Sequence, residues 1–199
     1  FGYAGECYTE QYQMLPRDGF TALVKKMLSD PHITLKMGVN ALDYIQIKKD
    51  KGENVLYFGG RKVEIPVVYT GGLDELFNYC YGVLPYYRMN VKLAVKNMRS
   101  LNAPTVQMPK DPEGFSVTDY SYFDSAYSGG KTVIATEHVD KNGFQTFPKQ
   151  LKKKRNQYLI YRKLADKIKN LYLCGRLAEY RFMSIADSID AAMNVIEQL

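Results

Sequence analysis

The chain has 199 residues, with 27 Lys and Arg against 21 Asp and Glu, giving a net charge of +6 and a pI near 9.0. Its 46% apolar and 24% charged residues match ordinary globular domains and exclude a disordered tail, a collagen-like chain and a coiled-coil rod. No apolar run approaches the ~20 residues of a membrane span, and the mild basic excess suits an anionic ligand such as a phosphate ester as well as a nucleic acid.

The first 15 residues are aromatic and polar without a clear period. Ala22, Leu23, Lys26, Met27 and Leu28 then take the spacing of a short amphipathic helix. Thr21 and Asp18 are equal candidates to cap it, and Asp30-Pro31 stops it. Ile33 to Met37 and Asp43 to Lys48 alternate as strands. Asp50 to Asn54 is turn chemistry, and Val55 to Phe58 is the returning strand. Gly59-Gly60 makes a second turn, and Val63 to Tyr69 reads as a third strand. Its apolar run Ile65-Pro66-Val67-Val68-Tyr69 suits a strand covered on both faces.

Thr70-Gly71-Gly72 breaks the chain, and Asp74 to Tyr81 reads as a short helix. Tyr87, Met89, Val91, Leu93 and Val95 fall two apart, a strand pattern over 84–100. Three prolines make 101–115 a loop. Strands are expected at 115–122 and 131–137, an amphipathic helix at 150–169, a buried strand at Leu171 to Cys174 and a last helix at 184–199. The fold class is α/β of the α+β type: a central antiparallel sheet flanked by helices.

Cys7, Cys80 and Cys174 are far apart with no CxxC pair, which points away from a disulfide framework or a zinc site and toward reduced thiols in the cytoplasm. His32 and His138, the only histidines, stand in polar contexts and read as surface residues. No Ser or Cys nucleophile motif appears, and Asp74-Glu75 reads as a helix start. Lys152-Lys153-Lys154-Arg155 opens an amphipathic helix, where a solvated face is the stronger reading than a nucleic-acid site. More telling are the glycine turns after the two apolar strands, Thr70-Gly71-Gly72 and Gly175-Arg176. They let backbone amides approach a ligand. On chemistry alone, Arg176 is open to two readings, a bidentate phosphate contact or a solvated Arg in an ordinary turn.

Three ordered blocks resemble the UDP-galactopyranose mutase family. Leu15-Pro16-Arg17-Asp18-Gly19-Phe20-Thr21 is similar to its L-P-x-x-G-Y-T. Tyr69-Thr70-Gly71-Gly72-Leu73-Asp74, with Gly82 to Tyr86, is similar to its Y-T-G-x-x-D…G-x-L-x-Y. Gly175-Arg176-Leu177-Ala178-Glu179-Tyr180-Arg181-Phe182 is similar to its closing G-R-L-x-x-Y-x-Y. The family enzymes are roughly twice as long and open with an FAD-binding Rossmann half. The resemblance therefore implies a C-terminal half of a flavoprotein, in keeping with a start at Phe1 without Met or signal peptide. Three parts are expected: 1–70 leading back to the FAD domain, 71–170 as substrate-side sheet and helices, and 171–199 as the closing strand and helix of an incomplete FAD-binding domain. Apolar faces on 64–69, 171–174 and 184–199 are then expected to be exposed or covered by self-association into a homo-oligomer.

The resemblance further implies interconversion of UDP-galactopyranose and UDP-galactofuranose for cell-wall polysaccharide synthesis. Reduced FAD attacks the anomeric carbon through N5, so no protein nucleophile is needed. The partner is a UDP-sugar, with no nucleic acid or membrane. The expected cofactor contacts are Gly175, Arg176, Ser184 and Ile185. The expected substrate contacts are Phe20, Tyr86, Arg88, Phe147, Arg176 and Phe182, and no metal is expected. The half-length chain alone is expected to be inactive.

Departures from the family pattern are specific. Phe20, Phe147 and Phe182 stand where tyrosines are expected, and each hydroxyl lost to a charged group is worth roughly 1.5–3 kcal/mol. Ser184 and Ile185 replace Asp and Met. Tyr86-Tyr87-Arg88 carries one inserted residue, and the segment T-R-x-x-E-x-K is not found between 118 and 138. Tyr86, Tyr87, Tyr120 and Tyr122 are candidates to replace the missing hydroxyls. Two other classes fit the same residues: the substrate domain of an amine-oxidase-like FAD oxidoreductase, and a non-catalytic nucleotide-sugar or protein binding module.

Overall fold

The computed structural model describes residues 14–97, 101–108, 116–123, 130–149 and 151–199. Cys7 and the aromatic opening, the end of the strand expected to reach 100, and residues 109–115 of the expected 101–115 loop lie outside them. The chain divides into two units, Phe1–Val39 and Asn40–Leu199.

In the first unit, α1 spans Gly19–Met27. Asp18 occupies the cap position without a side-chain cap bond, and Thr21 lies inside the helix. Gly19 has φ +78°, a value that suits glycine at the helix entry. The strand expected over Ile33–Met37 does not form, and Ile33, Leu35 and Met37 are exposed. Alternation sets which side chains share a face, but a strand also needs a partner for its backbone, and among the described residues none pairs here.

The second unit begins with a 3-10 turn, Ala41–Asp43, capped by the Asn40 side chain at Leu42 N. β1 (Ile45–Asp50) and β2 (Glu53–Phe58) form an antiparallel hairpin. Its turn residues Lys51 and Gly52 both have positive φ, the two-residue geometry that matches strand twist. β3 is only Arg61–Lys62, antiparallel to β2. The expected third strand is therefore split. Asn170 Nδ2 donates to Val63 O and Ile65 O at 2.9 Å each. The chain then passes Pro66 and resumes as β4 (Val67–Tyr69). Val68 is exposed on β4, so the run is covered on one face within the described residues, not on both.

α2 is a single turn, Leu73–Leu76, shorter than expected. It ends because Asn78 and Tyr79 both adopt positive φ, which no helix accommodates. β5 (Tyr86–Lys96), β6 (Thr105–Gln107), β7 (Ser116–Asp119), β8 (Thr132–Val139) and β9 (Phe144–Pro148) form an antiparallel sheet in the order β6-β7-β8-β5-β9. β6 lies inside the expected loop, and β9 was not expected. Both are edge strands, where short length and a terminal Pro are tolerated. A polar cluster pins β7 to β8: Asp119 Oδ1 accepts from Thr132 Oγ1 at 2.6 Å and from Ser121 Oγ at 2.7 Å.

α3 spans Lys152–Ala165. β10 (Leu171–Leu173) pairs parallel with β4. α4 (Ile185–Ile196) starts at a capping box, in which Ser184 Oγ accepts from Asp187 N and Asp187 accepts from Ser184 N. The class is α+β, antiparallel sheets flanked by helices. The core gathers Leu56, Leu73, Leu84, Tyr161, Ile168 and Tyr180 around α2, α3 and β10. Tyr161 is fully buried and yet satisfied: its hydroxyl donates to Gly82 O at 2.8 Å and accepts from Tyr81 N at 2.9 Å.

Candidate functional site

The parallel pair fixes the site. β4 and β10 point the same way, with Cys174 N bonded to Tyr69 O at 3.1 Å. The turns 70–72 and 174–176 therefore leave the same edge of the pair. Ligands bind at the carboxyl ends of parallel strands. The glycines there differ in purpose. A Cβ on Gly71 would collide with the Tyr69 hydroxyl, and one on Gly72 would stand 2.9 Å from Asp74 Oδ1, so both are needed for internal packing. Gly175 has φ +89°, and its nearest obstacle is Thr70 Cβ at 4.0 Å. Space beside the Gly175 backbone is open.

Behind these turns lies a buried polar floor. Tyr69 donates to Gly72 O at 3.1 Å. Asp74 Oδ2 accepts from Leu84 N at 2.8 Å, while Asp74 Oδ1 is buried without a hydrogen-bond partner. Burial pushes the Asp74 carboxyl upward, against the bond from Leu84 N. Tyr86 is buried, and its hydroxyl donates to Leu177 O at 3.3 Å. Tyr180 meets Tyr86 edge-on at 5.4 Å and stacks on Tyr158 at 5.3 Å. Its hydroxyl is shared between Pro85 O and Lys149 O, each at 3.0 Å, and burial raises its pKa to about 12.

In front of the floor stands an aromatic shelf. The Tyr87 ring lies 5.0 Å from Phe147, and Phe147 meets Phe182 edge-on at 6.2 Å. Lys149 Nζ sits 4.8 Å from the Tyr87 ring centre, within cation–π range. A bulge on β9 opposite Arg88 shifts the register, pairing Tyr87 with Phe147 and Arg88 with Gln145. With two residues facing one, Gln145 and Phe147 fall on opposite faces. Phe147 joins the shelf, whereas Gln145 donates to Glu75 Oε1 at 2.8 Å. Arg88 donates to Gly143 O at 3.2 Å.

Contacts join Tyr87, Phe147 and Phe182 into one cluster, and the Tyr86 hydroxyl reaches Leu177 O next to the Gly175–Arg176 turn, whereas Arg88 lies on the opposite face of β5 from Tyr87, with Gln145. Arg176 is exposed. Ser184 and Ile185 start α4, with the Ser184 hydroxyl and amide both committed to Asp187. Phe20 lies on α1 in the other unit. Of the four candidate tyrosines, only Tyr87 stands on the shelf. Tyr122 donates to Leu101 O at 2.8 Å, and Tyr120 meets Phe123. Tyr180 and Lys149 were missed. The G-R-L-x-x-Y spacing marks Tyr180, but nothing local marks Lys149. His138 is half-buried with a buried Nδ1, not a free surface residue. A cavity of about 1450 Å³ lies elsewhere, between the β1–β2 hairpin and residues 75–81.

Among the described residues no group of His, Cys, Asp or Glu could hold a metal ion, and no helix is long and apolar enough to cross a membrane. The described site comprises two glycine turns at one end of the parallel pair and an aromatic cluster with Lys149 over the Tyr87 ring. Curated relatives match nearly the whole chain. UDP-galactopyranose mutases of Mycoplasma genitalium and Mycoplasma pneumoniae are each 29% identical, over 94% and 96% of this chain and 47% and 49% of their own length. A dTDP-fucopyranose mutase of Escherichia coli is 23% identical over 97% of the chain and 50% of its own length. The family model for UDP-galactopyranose mutase matches residues 1–182, and the chain belongs to that family. It spans about half the length of the curated relatives it matches.

Proposed function

We propose that this chain forms the substrate side of a flavin-dependent mutase that interconverts UDP-galactopyranose and UDP-galactofuranose. The observation that carries the reading is the exposed Arg176 on an αL glycine turn, in a chain whose family match runs through that turn. The family name supports a sugar nucleotide as ligand. Arg176 and Lys149 supply cations for its diphosphate. The Tyr87–Phe147–Phe182 shelf offers a face for its sugar or base.

The residues fit one edge of FAD. Gly175 and Arg176 would hold that edge, and the open space beside Gly175 allows the approach. Bound and reduced, the flavin would supply the nucleophile toward the anomeric carbon, so the chain need not provide one. The chain's own residues bind the diphosphate, orient the sugar and exclude water. Two further facts support a half-enzyme. Among the described residues the parallel sheet has two strands, and apolar Ile65, Val68, Ile189 and Met193 are exposed beside or beyond it. Parallel sheets are ordinarily covered on both faces. On β10 Leu171 is buried and Tyr172 and Leu173 are half-buried.

The test is turnover. The chain joined to a segment corresponding to its relatives' remaining half, loaded with FAD and reduced with dithionite, is expected to convert UDP-galactofuranose to UDP-galactopyranose. The 199-residue chain with added FAD is expected to give none. Arg176→Ala is expected to weaken UDP binding about tenfold or more, as a lost charge-assisted bond does. Unchanged affinity would remove Arg176 from the site. One observation favours a second reading. Phe147 and Phe182 present no hydroxyls to the sugar, which suits a 6-deoxy sugar of the dTDP-fucose kind. Faster turnover of dTDP-fucofuranose than of UDP-galactofuranose would select it.

A further inference from the structure

The turn that carries Arg176 is closed like a helical turn. Glu179 N donates to Gly175 O at 2.9 Å, and Arg181 N donates to Arg176 O at 3.3 Å. Gly175 and Tyr180, at φ +89° and +49°, bend its two ends. Arg176 and Glu179 are three residues apart in that turn, the spacing at which side chains become neighbours and opposite charges pair. Yet they do not pair. Glu179 Oε1 accepts from Gly175 N at 3.3 Å, and Oε2 accepts from Arg181 Nε at 2.8 Å. Glu179 is mostly covered and Arg181 half exposed. Arg181 also feels Asp187, so it balances the acids at this end of the chain. Among the described residues Arg176 has no ion-pair partner.

We propose that Glu179 and Arg181 are positioning residues that keep Arg176 available to an anionic ligand. Glu179 straps the Gly175 amide, which holds the turn in its αL bend. Arg181 holds the Glu179 carboxylate away from Arg176, its nearest competitor for the ligand's charge. The nature of that ligand, a diphosphate, rests on the mutase reading, but the strap itself does not.

The two can be separated by experiment. In the purified chain, Arg176 is labelled with phenylglyoxal and its rate followed by peptide mass spectrometry, and UDP affinity is measured by calorimetry. Arg181→Met frees the Glu179 carboxylate to pair with Arg176. It is expected to slow Arg176 labelling and to weaken UDP binding about tenfold. The double variant Arg181→Met/Glu179→Gln is expected to restore both, because the competing charge is gone. Arg181→Lys keeps the cation and is expected to keep Arg176 reactive. A merely structural strap predicts the reverse, a double variant no better than Arg181→Met, and that result overturns the proposal. Equal loss in Arg181→Lys and Arg181→Met overturns it too. Absent UDP binding alongside the expected labelling pattern would sink the mutase reading and leave the strap standing.

Discussion

The two ends of β5 make an instructive pair. Both follow one alternation, with Tyr87, Met89, Val91, Leu93 and Val95 on one face. At the first end Met89 is buried, and the Tyr87 ring lies tilted against Phe147 at 5.0 Å. At the second end Leu93 and Val95 are 69% and 68% exposed. The pattern is equal, but the surroundings are not. α3, the 175–181 turn and β9 crowd the first end. The second end has β8 beside it and no described element over the Val91–Leu93–Val95 face. Alternation therefore assigns a face, and only packing decides what that face is worth.

Substitutions can sharpen this contrast. The largest effect is expected at Tyr161, the buried pillar behind the first end. Tyr161→Ala removes a fully buried ring and two hydrogen bonds, and should cost about 4 kcal/mol in urea unfolding. A loss under about 1 kcal/mol would mean that this core is not cooperative with the rest.

A middle effect concerns pH. Asp74 sits 1% exposed on the site floor, and burial raises its carboxyl pKa. Between the unfolded and folded values the native state then holds more protons than the unfolded chain, so stability falls as pH rises through that window. Asp187 has the opposite sign. Bonds from the Ser184 amide and hydroxyl hold its carboxyl below the usual range, so its contribution is lost as pH falls. Melting curves of wild type and Asp74→Asn from pH 4 upward should diverge, with the variant lacking the decline. Parallel curves would show that Asp74 is charged and compensated in the fold.

The smallest effect is expected at the open end. Leu93→Ser should change stability by no more than about 0.5 kcal/mol, as exposed positions do. A loss of about 2 kcal/mol would show that something covers this face in solution, and sedimentation of the same variant would say whether a second copy does.

Much of the fold was legible because local rules and tertiary demands agreed. The β1–β2 hairpin follows from its turn residues. α3 and α4 follow from helical spacing, and the capping box follows from Ser184 and Asp187 standing three apart. The strands at 33–37 and 144–148 were misjudged for opposite reasons. Ile33 to Met37 alternates but finds no partner among the described residues. Phe144 to Pro148 conceals its alternation behind a bulge, yet pairs with β5. The site was legible in parts. Gly175, Arg176 and Phe182 belong to one short motif, and so does Tyr180. The meeting of Phe147 with Tyr87 comes from sheet register, which no spacing encodes, and Lys149, just past β9, is carried with it to the Tyr87 ring.

The sequence by itself determined the helices, the hairpin, the two glycine turns and the family, because each rests on residues near one another in the chain. Tertiary structure decided the rest. It set Gly71 and Gly72 to packing and left the space beside Gly175 open. It buried Tyr86 and raised Tyr87 to the shelf, and it gave Glu179 to Arg181 rather than to Arg176. These outcomes depend on which surfaces meet across β4, β10, β5 and α3, and hydrogen-bond geometry and burial are properties of that meeting.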